Sequence, residues 1–285
     1  MFFNVLTRII LGGVIIYTAF PLPNTIFSTW LWDASTLQQS DEIITFMHTQ
    51  KAQKIYVQID PEIPPTYYAQ FIQHAHEHHI EVLALDGAPT WGNREKRSDV
   101  LQYIQYVADF NTMYAKTAFD GLHVDIEPYL HPHWHTHQAS VIEDFQQTMT
   151  LLKEHATRLH LPLEADIPFW FDEVRYTTSF GEGILAEWLI QEMDAITIMA
   201  YRNTADAIVD ITQQELRLGA IYNKPITIAV ETMPSDEGPS ISFSTMSAAE
   251  FSQQIQKLQR LLHNEKAFAG IAVHHYPTWK TLINK

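Results

Sequence analysis

Three ionisable residues alternate with apolar ones in segment 119–127, which reads FDGLHVDIE: His123, Asp125 and Glu127. Alternate residues of a β-strand share a face, so a strand here would separate these three groups from Leu122, Val124 and Ile126. Two carboxyl groups at this spacing do not both ionise cheaply, and one should hold a proton at neutral pH. The segment therefore predicts a general acid at Glu127, able to protonate a leaving-group oxygen, with Asp125 deeper as its partner.

Polar residues also end most of the other predicted strands: Asp33, Asp60, Asp86, Asp166, Tyr201, Glu231, His274 and His275. A single acid at a strand end often caps the next helix, and this is an equal alternative for Asp33 and Asp86. Acids on most of the strands indicate a ring of carboxylates that raise some of their own pKa values. We expect Asp166, Glu231 and His274 to bind substrate at this ring.

The elements that position these residues alternate regularly along the chain. Apolar, β-branched runs predict eight strands, at 25–32, 54–59, 80–85, 121–126, 163–167, 195–200, 226–230 and 270–273. Amphipathic stretches predict helices between them, at 65–79, 98–117, 140–160 and 247–264, the last opening on the capping box Ser247–Glu250. Eight such units predict a single (β/α)8 TIM barrel over residues 23–285, an α/β fold whose strand ends meet at one mouth. A doubly wound sheet is the alternative, but residues 33–36 offer no glycine-rich phosphate loop.

Composition restricts the partners and the chemistry. The formal net charge of −15, from 18 basic and 33 acidic residues, disfavours nucleic acid and anionic membrane surfaces, since both would be repelled. The absence of cysteine excludes disulfides, thiolate metal sites and a cysteine nucleophile. No Gly-x-Ser-x-Gly elbow of a serine hydrolase is present. We expect no cofactor.

The N-terminal segment 1–22 predicts export. Residues 2–22 are almost wholly apolar, Arg8 is their one charged side chain, and Pro21 and Pro23 end the segment. This is typical of a signal-peptide core or a membrane anchor, and a buried first helix is the alternative. No small-x-small cleavage site is evident, which favours an uncleaved anchor. With Arg8 on the cytoplasmic side, the barrel would be extracellular or anchored to the outer face of the cytoplasmic membrane.

Segment 119–127 resembles the fourth-strand signature of the family 18 glycoside hydrolases, the chitinase-like barrels. That signature is an apolar residue, Asp, Gly, apolar, Asp, apolar, Asp, any residue and Glu, and it is met everywhere except at His123. Met199-Ala200-Tyr201 is similar to the family's Met-x-Tyr on the sixth strand. The resemblance implies a retaining, substrate-assisted mechanism on N-acetylhexosamine-containing glycans, such as cell-wall or exopolysaccharide material.

The resemblance also assigns roles. Glu127 would be the general acid/base, while Asp125 and Tyr201 would hold the N-acetyl group, whose carbonyl oxygen attacks the anomeric carbon. Asp120 and His123, in the same signature, would belong to the substrate-binding residues. Three positions depart from the pattern: His123 stands where Asp or Asn is usual, Arg202 where Asp is frequent, and His274-His275-Tyr276 where a Trp floors the sugar site.

Two other glycan-related functions stay open. Glu127-Pro128 also resembles a second group of retaining barrel glycosidases, in which Glu231 would be the nucleophile about 5–5.5 Å from the acid. The second open function is that of a non-catalytic glycan-binding barrel, although a lectin does not need two adjacent carboxylates.

Aromatic and histidine residues near the strand ends give further expectations. Trp170, just after the fifth strand, is expected to be a sugar platform. Four histidines alternate in the loop after Glu127, which is compatible with a metal-dependent hydrolase or deacetylase but favours a polar loop that shapes a glycan subsite; they are His131, His133, His135 and His137.

Overall fold

The computed structural model describes residues 25–285, so the predicted signal or anchor segment lies outside the described residues. Within this range the strands are β1 (Ile26–Leu31), β2 (Ala52–Gln58), β3 (Glu81–Asp86), β4 (Gly121–Asp125), β5 (Leu163–Pro168), β6 (Arg175–Thr178), β7 (Gly181–Ile184), β8 (Ala195–Met199), β9 (Ile226–Glu231) and β10 (Phe268–His274). The helices are α1 (Ser40–Thr49), α2 (Pro65–Glu77), α3 (Arg97–Met113), α4 (Gln138–Leu159), α5 (Leu185–Glu192), α6 (Ala205–Tyr222), α7 (Ala248–Leu262) and α8 (Tyr276–Ile283).

Eight of the strands close into a parallel barrel in the order β1-β10-β9-β8-β5-β4-β3-β2. They are the eight strands that the sequence predicts, with ends that agree to within two residues, so the predicted (β/α)8 barrel is confirmed. The antiparallel hairpin β6–β7, inserted between β5 and α5, was not expected. Its four-residue strands are too short and too exposed to show a clear alternating pattern.

The barrel strands bury both faces, and each face meets a different environment. Outward residues such as Leu122, Val124 and Ile126 belong to the large apolar core between strands and helices. Inward apolar residues form a second, smaller cluster, against which Trp32 and Tyr201 pack: Trp30, Tyr56, Leu83, Leu85, Ala229 and Ala272. Polar residues occupy the same interior, so this barrel is not filled by hydrocarbon alone; those on β4, β5 and β8 are His123, Glu164, Asp166 and Thr197.

Local signals set several helix ends. Pro65 opens α2, where its missing N–H is not needed. The predicted capping box at α7 is confirmed, since Ser247 and Glu250 cap each other's backbone N–H groups. Asn223 ends α6 in the left-handed conformation, with φ 54°. Within residues 25–285 no helix combines the length and the apolar character that a membrane span requires.

Gly87, in the loop after β3, allows that loop to pass against the backbone of β4. A Cβ atom at this position would lie 2.0 Å from the carbonyl oxygen of Asp125. We expect Gly87→Ala to lower the free energy of unfolding by about 1–3 kcal/mol, the usual cost of overpacking, as measured by urea denaturation.

Gly92→Ala is the matched control in the same loop, because its added Cβ would meet Pro128 Cβ at an ordinary 3.5 Å. Equal stability of the two variants would contradict a tight contact between Gly87 and β4.

Candidate active site

The inward residues of β4 rise through the barrel toward its mouth. His123 is fully buried, and its ring stacks on Tyr56 with centroids 3.8 Å apart and an interplanar angle of 25°. Asp125 and Glu127 lie above it and are partly buried. The outward residues of the strand pack under the helices, so the predicted alternation of ionisable and apolar faces is observed.

A chain of alternating charges crosses the barrel interior below the mouth. Lys54 Nζ lies 2.6 Å from Glu164 Oε1, and Glu164 Oε2 lies 3.6 Å from His123 Nδ1. His123 Nε2 is 2.9 Å from Asp166 Oδ1, and Trp30 Nε1 donates a 3.0 Å hydrogen bond to Asp166 Oδ2. Two cations and two carboxylates therefore neutralise one another in the interior.

The charge chain determines the protonation of its members. Burial by itself lowers the pKa of His123, but Asp166 and Glu164 outweigh burial and raise it to about 9. Burial raises the pKa of Glu164, but His123 and Lys54 outweigh it, and the net direction is downward. At neutral pH His123 is a buried imidazolium and Glu164 a carboxylate.

The environment of Asp125 raises the pKa of its carboxyl group, whereas that of Glu164 is lowered. Its Oδ1 atom is buried and has no hydrogen-bond partner among the described residues. Burial, then Asp166, then Glu127 raise the pKa of Asp125 well above its ordinary value, and the opposing effect of His123 is smaller. Asp125 is therefore the protonated member of the predicted carboxyl pair.

Glu127, at the end of the line, combines access with a raised pKa. Burial raises the pKa of this carboxyl first; a hydrogen bond from the Tyr129 hydroxyl to Oε1 opposes the shift, and Asp166 and Glu237 reinforce it. The Tyr129 ring packs edge-on against Trp170, with centroids 5.0 Å apart. A carboxyl group with a raised pKa thus lies at the mouth, beside an aromatic wall, as suits a general acid.

The opposite wall of the mouth comes from β1, β9 and β10. Trp32 Nε1 donates a 3.0 Å hydrogen bond to His274 Nε2, so the proton of this ring is on Nδ1. His274 Nδ1 lies 2.9 Å from Glu231 Oε2, and the backbone N–H of Met233 donates to Glu231 Oε1 at 2.6 Å. Glu231 is 6% exposed, with both oxygens engaged.

Tyr201 and His275 complete this wall. Burial raises the pKa of Tyr201 well above its ordinary value, and Glu231, Asp166, Asp125 and Glu127 raise it further. Its hydroxyl is therefore a stable hydrogen-bond donor that faces the same carboxyl groups. Burial and then His274 lower the pKa of His275 to about 4, which makes it a neutral ring at neutral pH.

The structure corrects several predicted site residues. Asp120 precedes β4 at the opposite end of the barrel, where Oδ2 accepts from the Val82 N–H at 2.7 Å and pairs with His76 at 2.9 Å. It is too remote from the mouth to bind substrate there. His123 and Asp166 lie at the correct end of the barrel, but they are 0% and 4% exposed, so they support the site from below.

The expected ring of carboxylates is also incomplete. Asp33 accepts from the Ser35 N–H at 3.0 Å and caps a short 3-10 helix, which is the alternative role that the sequence offered for this residue. Asp60 accepts from the Glu62 N–H at 2.9 Å in a turn. Asp86 lines a separate cavity of about 510 Å³ beside α3, and burial raises its pKa to about 6. A strand-end position alone does not show on which side of the sheet an acid projects.

Four residues of the interior were missed by the sequence reasoning: Trp30, Lys54, Tyr56 and Glu164. The signal that identified β4 was present, because Glu164 and Asp166 alternate on β5 and Lys54 and Tyr56 alternate on β2. Lys54 and Glu164 each lie four residues before the end of their strand, below the strand-end positions at which functional residues of this fold are expected.

The histidine loop after Glu127 lies on the surface. The ring of His133 is 5.4 Å from those of His131 and His137, and His135 is exposed. In the described part of the chain, no three His, Asp or Glu side chains converge in a way that would hold a metal ion.

Comparison with known proteins identifies the fold. No protein-family model matches the chain, and no curated protein matches it in sequence. A GH18 chitinase from Pseudoalteromonas aurantia matches in structure with a TM-score of 0.57 and 14% identity, over 88% of this chain and 94% of that one. A chitinase from Chromobacterium violaceum matches with a TM-score of 0.58 and 10% identity, over 92% of this chain and 98% of that one. A GH18 chitinase from Cycas revoluta, solved with (GlcNAc)3, matches with a TM-score of 0.55 and 11% identity, over 89% of this chain and 95% of that one. The distant likeness expected from segment 119–127 is thus confirmed as a shared fold.

The hydrogen bond from Tyr129 predicts how Glu127 responds to its removal. A bond to the ionised carboxylate favours that form, so Tyr129→Phe should raise the pKa of Glu127 further. The measurement is a carbon-13 NMR titration of the Glu127 carboxyl. Tyr106→Phe is the control, because the Tyr106 hydroxyl has no partner within residues 25–285. An unchanged or lower pKa in Tyr129→Phe would show that the bond does not act on Glu127.

The raised pKa of His123 also predicts a pH dependence of stability. A shift from 6.5 to about 9 corresponds to about 3 kcal/mol. Because the folded value is above the unfolded one, this stabilisation is fully present below pH 6.5 and is lost as the pH rises through 9. In urea titrations from pH 6.5 to 9.5, wild type should lose about 3 kcal/mol more than His123→Gln. The exposed His135→Gln should follow wild type, and parallel curves for His123→Gln would contradict a buried imidazolium.

Proposed function

We propose that this chain is a glycoside hydrolase that acts on N-acetylhexosamine-containing glycans by a retaining, substrate-assisted mechanism. The observation that carries the proposal is the grouping at the mouth: Glu127 with a raised pKa, Asp125 protonated beside it, and the Tyr201 hydroxyl facing both. The likeness to chitinase structures supports the same class, since it concerns the whole barrel.

In this mechanism Glu127 donates its proton to the glycosidic oxygen as the bond to the anomeric carbon breaks. The acetamido carbonyl oxygen of the substrate attacks that carbon from the other face, and Asp125 and Tyr201 hold the acetamido group in place. Glu127, now a carboxylate, then accepts a proton from the water that opens the cyclic intermediate, which restores the resting acid and retains the anomeric configuration. Trp170, beside Tyr129, offers an aromatic face to a sugar ring.

The arrangement of Glu231 favours this mechanism over a two-carboxylate one. A nucleophile needs a free oxygen aimed at the substrate, whereas both oxygens of Glu231 already accept hydrogen bonds, from Met233 and His274. We assign Glu231 and His274 to the wall that shapes the sugar site. A purely glycan-binding role is disfavoured, because a lectin gains nothing from two adjacent carboxyl groups with raised pKa values at the mouth.

We also propose that the barrel works outside the cytoplasm, tethered or released through segment 1–22. The support is the apolar sequence of that segment and the nature of the proposed substrates, which are extracellular polymers. A fusion of residues 1–30 to a reporter enzyme, fractionated between membrane and medium, tests this proposal.

Turnover of defined oligosaccharides tests the proposed function. Wild type should cleave N-acetylated chito-oligosaccharides and leave their deacetylated forms intact, because only the former carry the internal nucleophile. Glu127→Gln should lower the turnover rate by about 10²–10⁴-fold, as loss of a general acid does. Glu182→Gln, on the exposed strand β7, is the matched control and should be unaffected.

Equal turnover in wild type and Glu127→Gln would refute the assignment of the acid. Cleavage of deacetylated oligosaccharides that is lost in Glu231→Gln would instead establish the two-carboxylate mechanism. Binding of the oligosaccharides without any cleavage would establish the glycan-binding alternative.

A further inference from the structure

In the part of the barrel interior between β2, β4 and β5, the buried charges are paired before Asp125 is counted. Lys54 pairs with Glu164 at 2.6 Å, and His123 pairs with Asp166 at 2.9 Å. A third buried carboxylate would have no cation of its own, and an uncompensated charge at such a site is costly. Asp125 is that third carboxyl group, and its buried Oδ1 lacks a partner in the described part of the chain.

Asp166 stands beside Asp125 because of strand register. In the parallel pair β4–β5 the Cα atoms of Asp125 and Asp166 are partners. Neighbouring strands lie about 4.8 Å apart and partner residues share a face, so both carboxyl groups project side by side into the barrel. Asp166 is the more deeply buried of the two, at 4% exposure, and it is held from below by His123 and from the side by Trp30.

We propose that Asp166 is a positioning residue for the proposed hydrolysis: held by His123 and Trp30, it keeps a proton on the neighbouring Asp125. His123, whose Nε2 lies 2.9 Å from Asp166 Oδ1, is the cation beside both carboxyl groups. A protonated Asp125 keeps one acceptor oxygen, which suits the N–H of an acetamido group. The role in hydrolysis rests on the proposed function, whereas the effect of Asp166 on the proton of Asp125 does not.

The pKa shifts agree in direction with this geometry. After burial, Asp166 is the strongest influence that raises the pKa of Asp125, and His123 acts in the opposite sense. The titratable groups around the two carboxyls, from all the elements that face them, are Tyr56, His123, Glu127, Glu164, Tyr201, Glu231 and His274.

Two variants should move the titration of Asp125 in opposite directions. Asp166→Asn removes the neighbouring carboxylate and leaves His123 without its partner, so Asp125 should ionise at least one pH unit lower, a tenfold change in its proton affinity. His123→Gln removes the cation, so Asp125 should hold its proton to higher pH. A general loosening of the barrel would expose Asp125 in both variants and shift both the same way.

The experiment is a carbon-13 NMR titration of the Asp125 carboxyl in the whole protein: wild type, the two variants, and Asp86→Asn as a control whose carboxyl lines the separate cavity beside α3. Opposite shifts with an unchanged control support the proposal. Unchanged titration, or shifts of the same sign, would overturn it. Should Asp166→Asn not fold, the rise expected in His123→Gln decides alone, and a fall or no change there overturns the proposal.

The titration needs no substrate, so it separates this inference from the proposed function. Opposite shifts in a protein that cleaves no glycan would overturn only the proposed hydrolysis. An active glycosidase whose Asp125 is insensitive to Asp166 and His123 would overturn only the role of Asp166.

Discussion

The structure depends on the compensation of charge inside the barrel. Carboxylates of Glu164 and Asp166 are almost completely removed from water, which is tolerable only because Lys54 and His123 contact them directly. Such pairs add little net stability, but loss of one partner from a buried pair typically costs about 3–5 kcal/mol. The barrel interior therefore tolerates few substitutions at these four residues. Tyr56 stacks on the His123 ring and packs beside them.

The chemistry of the mouth follows from that compensated interior. Lys54 and His123 are already paired with Glu164 and Asp166. Burial and the repulsion of neighbouring carboxyl groups therefore raise the pKa values of Asp125 and Glu127, which lie above these pairs. Asp125 is thereby kept protonated and sheltered, while Glu127, at the solvent edge beside Trp170, has a pKa above its ordinary value. A single strand supplies both environments, since alternate residues of β4 lie at increasing height in the barrel.

The sequence was most informative where a pattern repeats. Eight apolar strands and the alternation in segment 119–127 predicted the barrel, its open end and the group formed by Asp125, Glu127 and Tyr201 around one mouth. Prediction was poorest for isolated residues. Asp33, Asp60 and Asp86 end their strands like the residues of the candidate site, yet they cap turns or face another cavity, because one residue carries no information on side-chain direction. Asp120 was misplaced for a related reason, since membership of a motif does not show which end of a strand a residue occupies.

The sequence by itself determined the fold class, the strand order along the chain and the choice of Glu127 as the candidate acid, because these depend on local periodicity and on residue type. Only the tertiary structure decided which side chains surround that acid. Strand register places Asp166 beside Asp125, and barrel closure brings Trp30 and Lys54 from distant segments to the carboxylates of β5. Burial and Asp166, which follows Asp125 by 41 positions in the chain, raise the pKa of Asp125, and Trp30 and Lys54 contact the carboxylates of β5 from more than a hundred positions away.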